Sequence, residues 1–109
     1  RAVMTNPYAG EVAVTLDGRR HVAKLTLGAL AELETALEAG SLFDLVERFE
    51  AGRFSSRDVL ALIVAGLRGG GWNGNADTLR CVEIEGGPIE AARVAATLLA
   101  LAFAVPGEA

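Results

Sequence analysis

The stretch “LRGGGWNGNAD” at residues 67–77 sets Gly69, Gly71 and Gly74 on the G-x-G-x-x-G spacing of a dinucleotide-binding turn. That fingerprint works where its glycines join a strand to the N-terminus of a helix, because backbone N–H groups and the helix dipole there meet a pyrophosphate. Here the preceding “DVLALIVAGL” follows a serine and carries about three turns of apolar residues, which predicts a helix rather than a strand. Residues 26–68 supply no βαβ unit, and no Gly-Lys-Ser/Thr follows the glycines, which excludes a P-loop. Glu90 stands at a distance suited to a ribose acceptor, a coincidence of little weight among fourteen acidic residues. The glycines therefore read as helix termination followed by a flexible turn, and no cofactor is expected.

The remaining reactive side chains assemble no site. His21 is the only histidine, so it has no partners for a histidine metal set or a Ser/His/Asp triad, and it reads as an exposed strand residue. Cys81, the only cysteine, lacks a neighbouring His or Lys to lower its pKa and reads as a small buried side chain in its helix. Glu32, Glu34 and Glu38 form a solvated helix face. Arg48, Arg53 and Arg57 gather where the second helix meets the third, either as isolated surface cations or as a patch that steers an acidic partner. Catalytic, cofactor-binding and metal-binding residues are thus none. Trp72, inside the glycine loop, is either packed onto the fold or a partner anchor.

These residues depend on elements that the patterning outlines. “EVAVTLDGRRHVAKLTL” alternates around Asp17-Gly18, the mark of a hairpin with a primed turn. Val12, Val14 and Leu16 would share one face, joined across the turn by Val22, with Leu25 a further candidate. Thr26 then caps a helix with Leu30, Leu33 and Leu37 on one stripe and Gly40 as its stop. Ser41, with Asp44 three residues on, opens a second helix bearing Leu42, Leu45, Val46 and Phe49 and closed by Gly52. Ser55 or Ser56 starts a third that is apolar on all sides and belongs in the middle. Asn75 caps a short fourth helix, with Leu79 and Val82 inward together with Cys81 or Ile84, although Val, Ile and Thr there also suit a strand. Pro88 suits the first turn of the last long helix. The fold class is mainly α within α+β, an N-terminal β-hairpin followed by a compact bundle of about five helices.

A chain of 109 residues fits one domain of roughly 50 to 200 residues, expected over 7–105 with flexible ends at 1–6 and 106–109. “MTNPYAGEV” reads as a natural start, which leaves Arg1, Ala2 and Val3 as an extension without structural weight. Ten Lys plus Arg against fourteen Asp plus Glu give a net charge of −4 with no cationic stripe, so nucleic acid is not expected as a partner. A single cysteine and no leader-like start point to a reducing cytoplasm. The uncharged run “VAATLLALAFAV” at 94–105 is twelve residues, short of the ~20 that span a bilayer, so no membrane is expected. With 51% hydrophobic residues, this run offers more apolar surface than one core contact requires. It is either a core helix or half of an interface, and Trp72, Leu98, Leu101, Phe103 and Val105 are the candidate partner-binding residues.

The order of these pieces carries a resemblance. The Gly-Glu-Val hairpin, “LTLGALAELE” leading into the first helix, “AGLRGGG” ending the third and the closing “AARVAATLLALAF” together resemble the gene transfer agent tail-protein family of alphaproteobacteria and related prophages. That family is grouped with the tail assembly chaperones of long-tailed phages, and the similarity covers residues 7–103. It implies a small, mainly helical cytoplasmic protein that coats the tape measure protein while tail tube protein polymerises around it, and that leaves before the particle is mature. Homo-oligomers are compatible with it. The family also bears the label of tail tube protein, which implies the alternative of a structural tube or terminator subunit. Tubes of that type resemble β-sandwiches, whereas this chain offers one hairpin against five helical segments. None of the shared motifs is catalytic, so the resemblance carries over no catalytic residue.

Overall fold

The computed structural model describes residues 9–37 and 42–103. Two strands, β1 (Glu11–Leu16) and β2 (Arg19–Lys24), are followed by α1 (Leu27–Ala36), α2 (Leu42–Glu50), α3 (Ser56–Gly69), α4 (Ala76–Arg80) and α5 (Gly87–Ala102). The hairpin followed by five helices is the expected architecture. The expected tails at 1–6 and 106–109, the helix stop at Gly40, the serine start at Ser41 and Glu38 lie outside the described residues.

The hairpin turns on Asp17 at φ 48 and Gly18 at φ 80, a primed turn whose twist matches that of the strands. Two turn residues put Leu16 opposite Arg19, and the antiparallel register then sets Val14 against His21 and Val12 against Ala23. Residues directly opposite share a face, so the partner of the buried Val12, Val14 and Leu16 is Ala23, not the expected Val22. Val22 pairs with Ala13 on the other face. The same parity leaves His21 half-buried beside Val14 rather than exposed. Leu25 does pack against the core.

A third, minimal strand completes the sheet on the outer edge of β1. Leu16 bridges Ile84, the Asp17 N–H donates to the Glu83 carbonyl at 2.8 Å, and the Glu85 N–H donates to the Thr15 carbonyl at 2.9 Å. The Asp17 carboxylate also accepts from the Glu83 N–H at 2.9 Å. This corrects the reading of residues 75–85 as helix: α4 ends at Arg80, and the β-branched Val82 and Ile84 go on to the sheet edge. Cys81, expected to be buried, follows the last helical residue and is exposed; Ile84 takes the inward place.

α3 is central, as its apolar circumference demands. It meets β2, α1, α4 and α5, and it contributes Leu62, Ile63 and Leu67 to a buried cluster shared with Leu33, Leu45, Val94 and Leu98. Gly66 lets α5 approach: a Cβ there would press on the Leu98 methyl at 2.7 Å and on Ala23 at 3.3 Å. Local chemistry fixes the helix ends. Thr26 accepts from the Ala29 N–H at 3.1 Å, Ser55 from the Asp58 N–H at 3.1 Å and Asn75 from the Thr78 N–H at 3.0 Å. Gly52, at φ 71, turns the chain out of α2 while the Arg53 N–H returns to the Arg48 carbonyl at 2.8 Å.

Candidate functional site

The glycine loop is built for packing. It follows the C-terminus of α3, where the helix dipole is negative and repels an anion. Three of its N–H groups are also spent: Gly70 donates to the carbonyls of Gly66 and Leu67, Gly71 to Arg68 and Trp72 to Leu67, all between 2.9 and 3.1 Å. A phosphate would find no donors among them. Each glycine has its own steric reason. Cβ atoms on Gly69 and Gly70 would overlap the carbonyl oxygens of Lys24 and Val22, so the end of α3 lies directly on the outer edge of β2. Gly71 has φ 105, and Gly74 sits under the six-membered ring of Trp72. Trp72 itself is half-buried and packs against the core. Arg68 ties the loop down, donating to the Gly74 carbonyl at 3.1 Å and to Glu32 of α1 at 2.9 Å.

The arginine cluster divides. Arg48 grips Asp58 with two parallel bonds, Nε to Oδ2 at 3.1 Å and a terminal guanidinium nitrogen to Oδ1 at 3.0 Å, joining α2 to the first turn of α3. Arg48 is therefore not the surface cation expected from its spacing. Asp58, with a side chain 10% exposed, is the one buried charged residue among those described. Burial pushes its carboxyl up, but the Arg48 guanidinium and the N–H of Ser55 outweigh this and hold the pKa below its ordinary value. Arg53 and Arg57 are exposed beside it and line a shallow cleft with Ala36 and Leu37. Glu90 is bound by Arg93 on its own helix at 2.8 and 2.6 Å, and that guanidinium lowers its pKa. Among the described residues no group of three or more His, Cys, Asp or Glu is placed to hold a metal ion.

The closing helix also divides. Leu98 is 1% exposed and lies in the chain's own core over Gly66, Leu101 is half-buried against that core, and Phe103 is 47% exposed at the helix end. Val105 lies outside the described residues. Leu98 drops out of the presented surface because close packing of α5 on α3 turns that side of the stripe inward. Other apolar side chains, unremarked in the sequence, are exposed instead: Leu27 at 85%, Phe43 at 70% and Ile89 at 85%. Each stands in the first turn of its helix, where the helical period alone does not separate core from surface.

Two open grooves flank α3. One, of about 340 Å³, runs between α3, α4 and α5 over Val59, Ile63, Ile84 and Ala91. The other, of about 500 Å³, runs between α1, α3 and α4, with Leu60, Ala61 and Val64 as its floor and Arg57, Arg68 and Arg80 on its rim. Sequence reasoning missed this second groove because it treated α3 as covered on every side. The signal available was the recurrence of Arg57, Ala61, Val64 and Arg68 every three or four residues. No helix among the described residues is long and apolar enough to cross a membrane.

A family model described as phage tail tube protein, GTA-gp10, matches residues 9–105, which is nearly the whole chain. Comparisons with curated proteins and with solved structures return no match.

Proposed function

The chain belongs to the phage tail tube protein family GTA-gp10, and from that membership we propose that it acts as a non-enzymatic tail assembly chaperone. In this reading it works in the cytoplasm of the producing cell, holds tape measure protein or tail tube subunits in soluble form, and is absent from the finished particle. The observation that carries the proposal is the division of labour between sheet and helices. Thr15 and Asp17 at the outer edge of β1 are bonded to residues 83–85, and the Val22 and Lys24 carbonyls of β2 lie against Gly69 and Gly70, so part of each sheet edge is closed to a neighbouring strand. The open grooves run along α3, and the exposed Leu27, Phe43 and Ile89 stand on helices, with Phe103 at the end of α5. Such a surface suits transient capture of apolar segments better than a ring of paired strands.

A second reading, a structural tube or terminator subunit, is favoured by the description that the family bears. Quantitative mass spectrometry of purified particles separates the two. The chaperone reading expects tape measure and tube subunits with this chain only in traces, together with its co-purification with the tape measure protein on co-expression. Recovery of the chain in amounts equal to a tube subunit would overturn it in favour of the structural reading.

A further inference from the structure

The groove between α1, α3 and α4 has the chemistry of a receptor for a helix. Arg57, Ala61, Val64 and Arg68 lie in one row along α3 over about 16 Å, at 1.5 Å per residue. Leu33 and Ala36 of α1 form one wall, and Ala76 and Arg80 of α4 form the other. Small side chains on the floor and walls let a backbone come close, while Leu60 and Val64 supply apolar area.

The rim is cationic in an acidic chain. Fourteen Asp plus Glu outnumber ten Lys plus Arg overall, yet this groove is lined by three arginines and one acid, Glu32. The Arg68–Glu32 pair at 2.9 Å and the Arg80–Asp77 pair at 3.2 Å are both solvent-exposed. Exposed pairs are weak and screened by salt, so a partner's carboxylates can replace these acids at little cost.

We propose that this groove binds an amphipathic helix of a tail-protein partner whose apolar stripe is flanked by Asp and Glu. The stripe rests on Leu60, Ala61 and Val64, and the flanking carboxylates reach Arg57 and Arg68 at the two ends and Arg80 on the wall. The assignment rests on the reading of the chain as a carrier of tail proteins, and it adds the site and the chemistry of the bound segment.

The test uses two synthetic helical peptides, one with leucines at i, i+3, i+4 and i+7 flanked by glutamates, the other identical but flanked by lysines. Titration of each, fluorescently labelled, with the whole chain is followed by anisotropy. Binding of the glutamate peptide about tenfold tighter than the lysine peptide, weakened by salt, is expected. The Arg57→Glu/Arg80→Glu variant should reverse the order; both arginines are exposed, and circular dichroism checks its fold. Equal binding of the two peptides to the unaltered chain, a comparison that needs no variant, overturns the proposal. So does a dimer that light scattering finds in the unaltered chain and not in the variant, since a second copy then fills the groove. Co-expression with the tape measure protein keeps the two readings apart. Capture undiminished in the double variant sinks the groove and leaves the chaperone, whereas peptide binding without any capture of tail proteins sinks the chaperone and leaves the groove.

Discussion

At the scale of single residues the Arg48–Asp58 pair is the ion pair that holds the one buried charged residue among those described. Asp58 serves two elements at once: one oxygen closes the capping box of α3 on the Ser55 N–H at 3.0 Å, and both accept from Arg48 of α2. Removing the charge leaves the half-buried Arg48 facing an amide with a single acceptor oxygen and a donor in place of the second, so Asp58→Asn is expected to cost about 2 kcal/mol at neutral pH. The pH dependence has a definite sign. Because the folded pKa lies below the ordinary value, ionised Asp58 contributes stability that is fully present above the unfolded value of about 3.9 and is lost as pH falls through the folded one. Urea unfolding of both proteins should therefore show a gap at pH 7 that narrows below about pH 4. A gap of the same size in acid would mean that geometry, not charge, sets the contribution. The box itself was legible, since Ser55 and Asp58 stand three apart before an apolar run. Its coupling to Arg48 was not, because the two stand ten positions and a turn apart and only the packing of α2 on α3 brings them together.

At the scale of elements, the readable features are those fixed within a few residues, and the unreadable ones are set by what an element meets. Thr26, Ser55 and Asn75 cap helices where local chemistry places them, and Asp17-Gly18 turns the hairpin. The glycine run was legible as a helix end, but the demand at Gly69 and Gly70 comes from β2, more than forty positions earlier in the chain. Gly70→Ala tests that demand. At φ −90 the backbone there suits alanine, so loss of stability can come only from overlap with the Val22 carbonyl. We expect destabilisation by about 2 kcal/mol, against the roughly 0.5–1 kcal/mol gain that alanine gives over glycine within a helix. A gain in thermal midpoint would show that α3 can slide off the strand edge without cost. α5 supplies the complementary case. Leu98→Ala empties a core position and should cost about 2–5 kcal/mol, whereas Phe103→Ser at the exposed helix end should change stability by less than about 0.5 kcal/mol. Denaturant midpoints of the two variants measure the contrast. If Phe103→Ser nevertheless weakens capture of a tail protein, the end of α5 belongs to the docking surface.

At the scale of the whole molecule, the question is whether hairpin and helices form one cooperative unit or two. Val12, Val14 and Leu16 of β1 share their buried cluster with Leu62 and Ile63 of α3 and with Val94 and Leu98 of α5. The sheet reaches the far end of the chain again through Ile84, whose strand-like segment joins α4 to α5. A hairpin alone is marginal in water, and this one has no apolar face left over that could stabilise it apart from the helices. Hairpin and helices should therefore unfold together. Trp72 makes this measurable, because the only indole reports on the turn that lies against β2 while circular dichroism at the helix band reports on α1, α3 and α5. Thermal and urea transitions followed by the two signals should superimpose, with equal calorimetric and van't Hoff enthalpies of roughly 0.7 kcal/mol per residue near 60 °C. A fluorescence change preceding the loss of helix would separate the β2–loop contact from the core and would make that seam, rather than the grooves along α3, the part of the molecule that opens first.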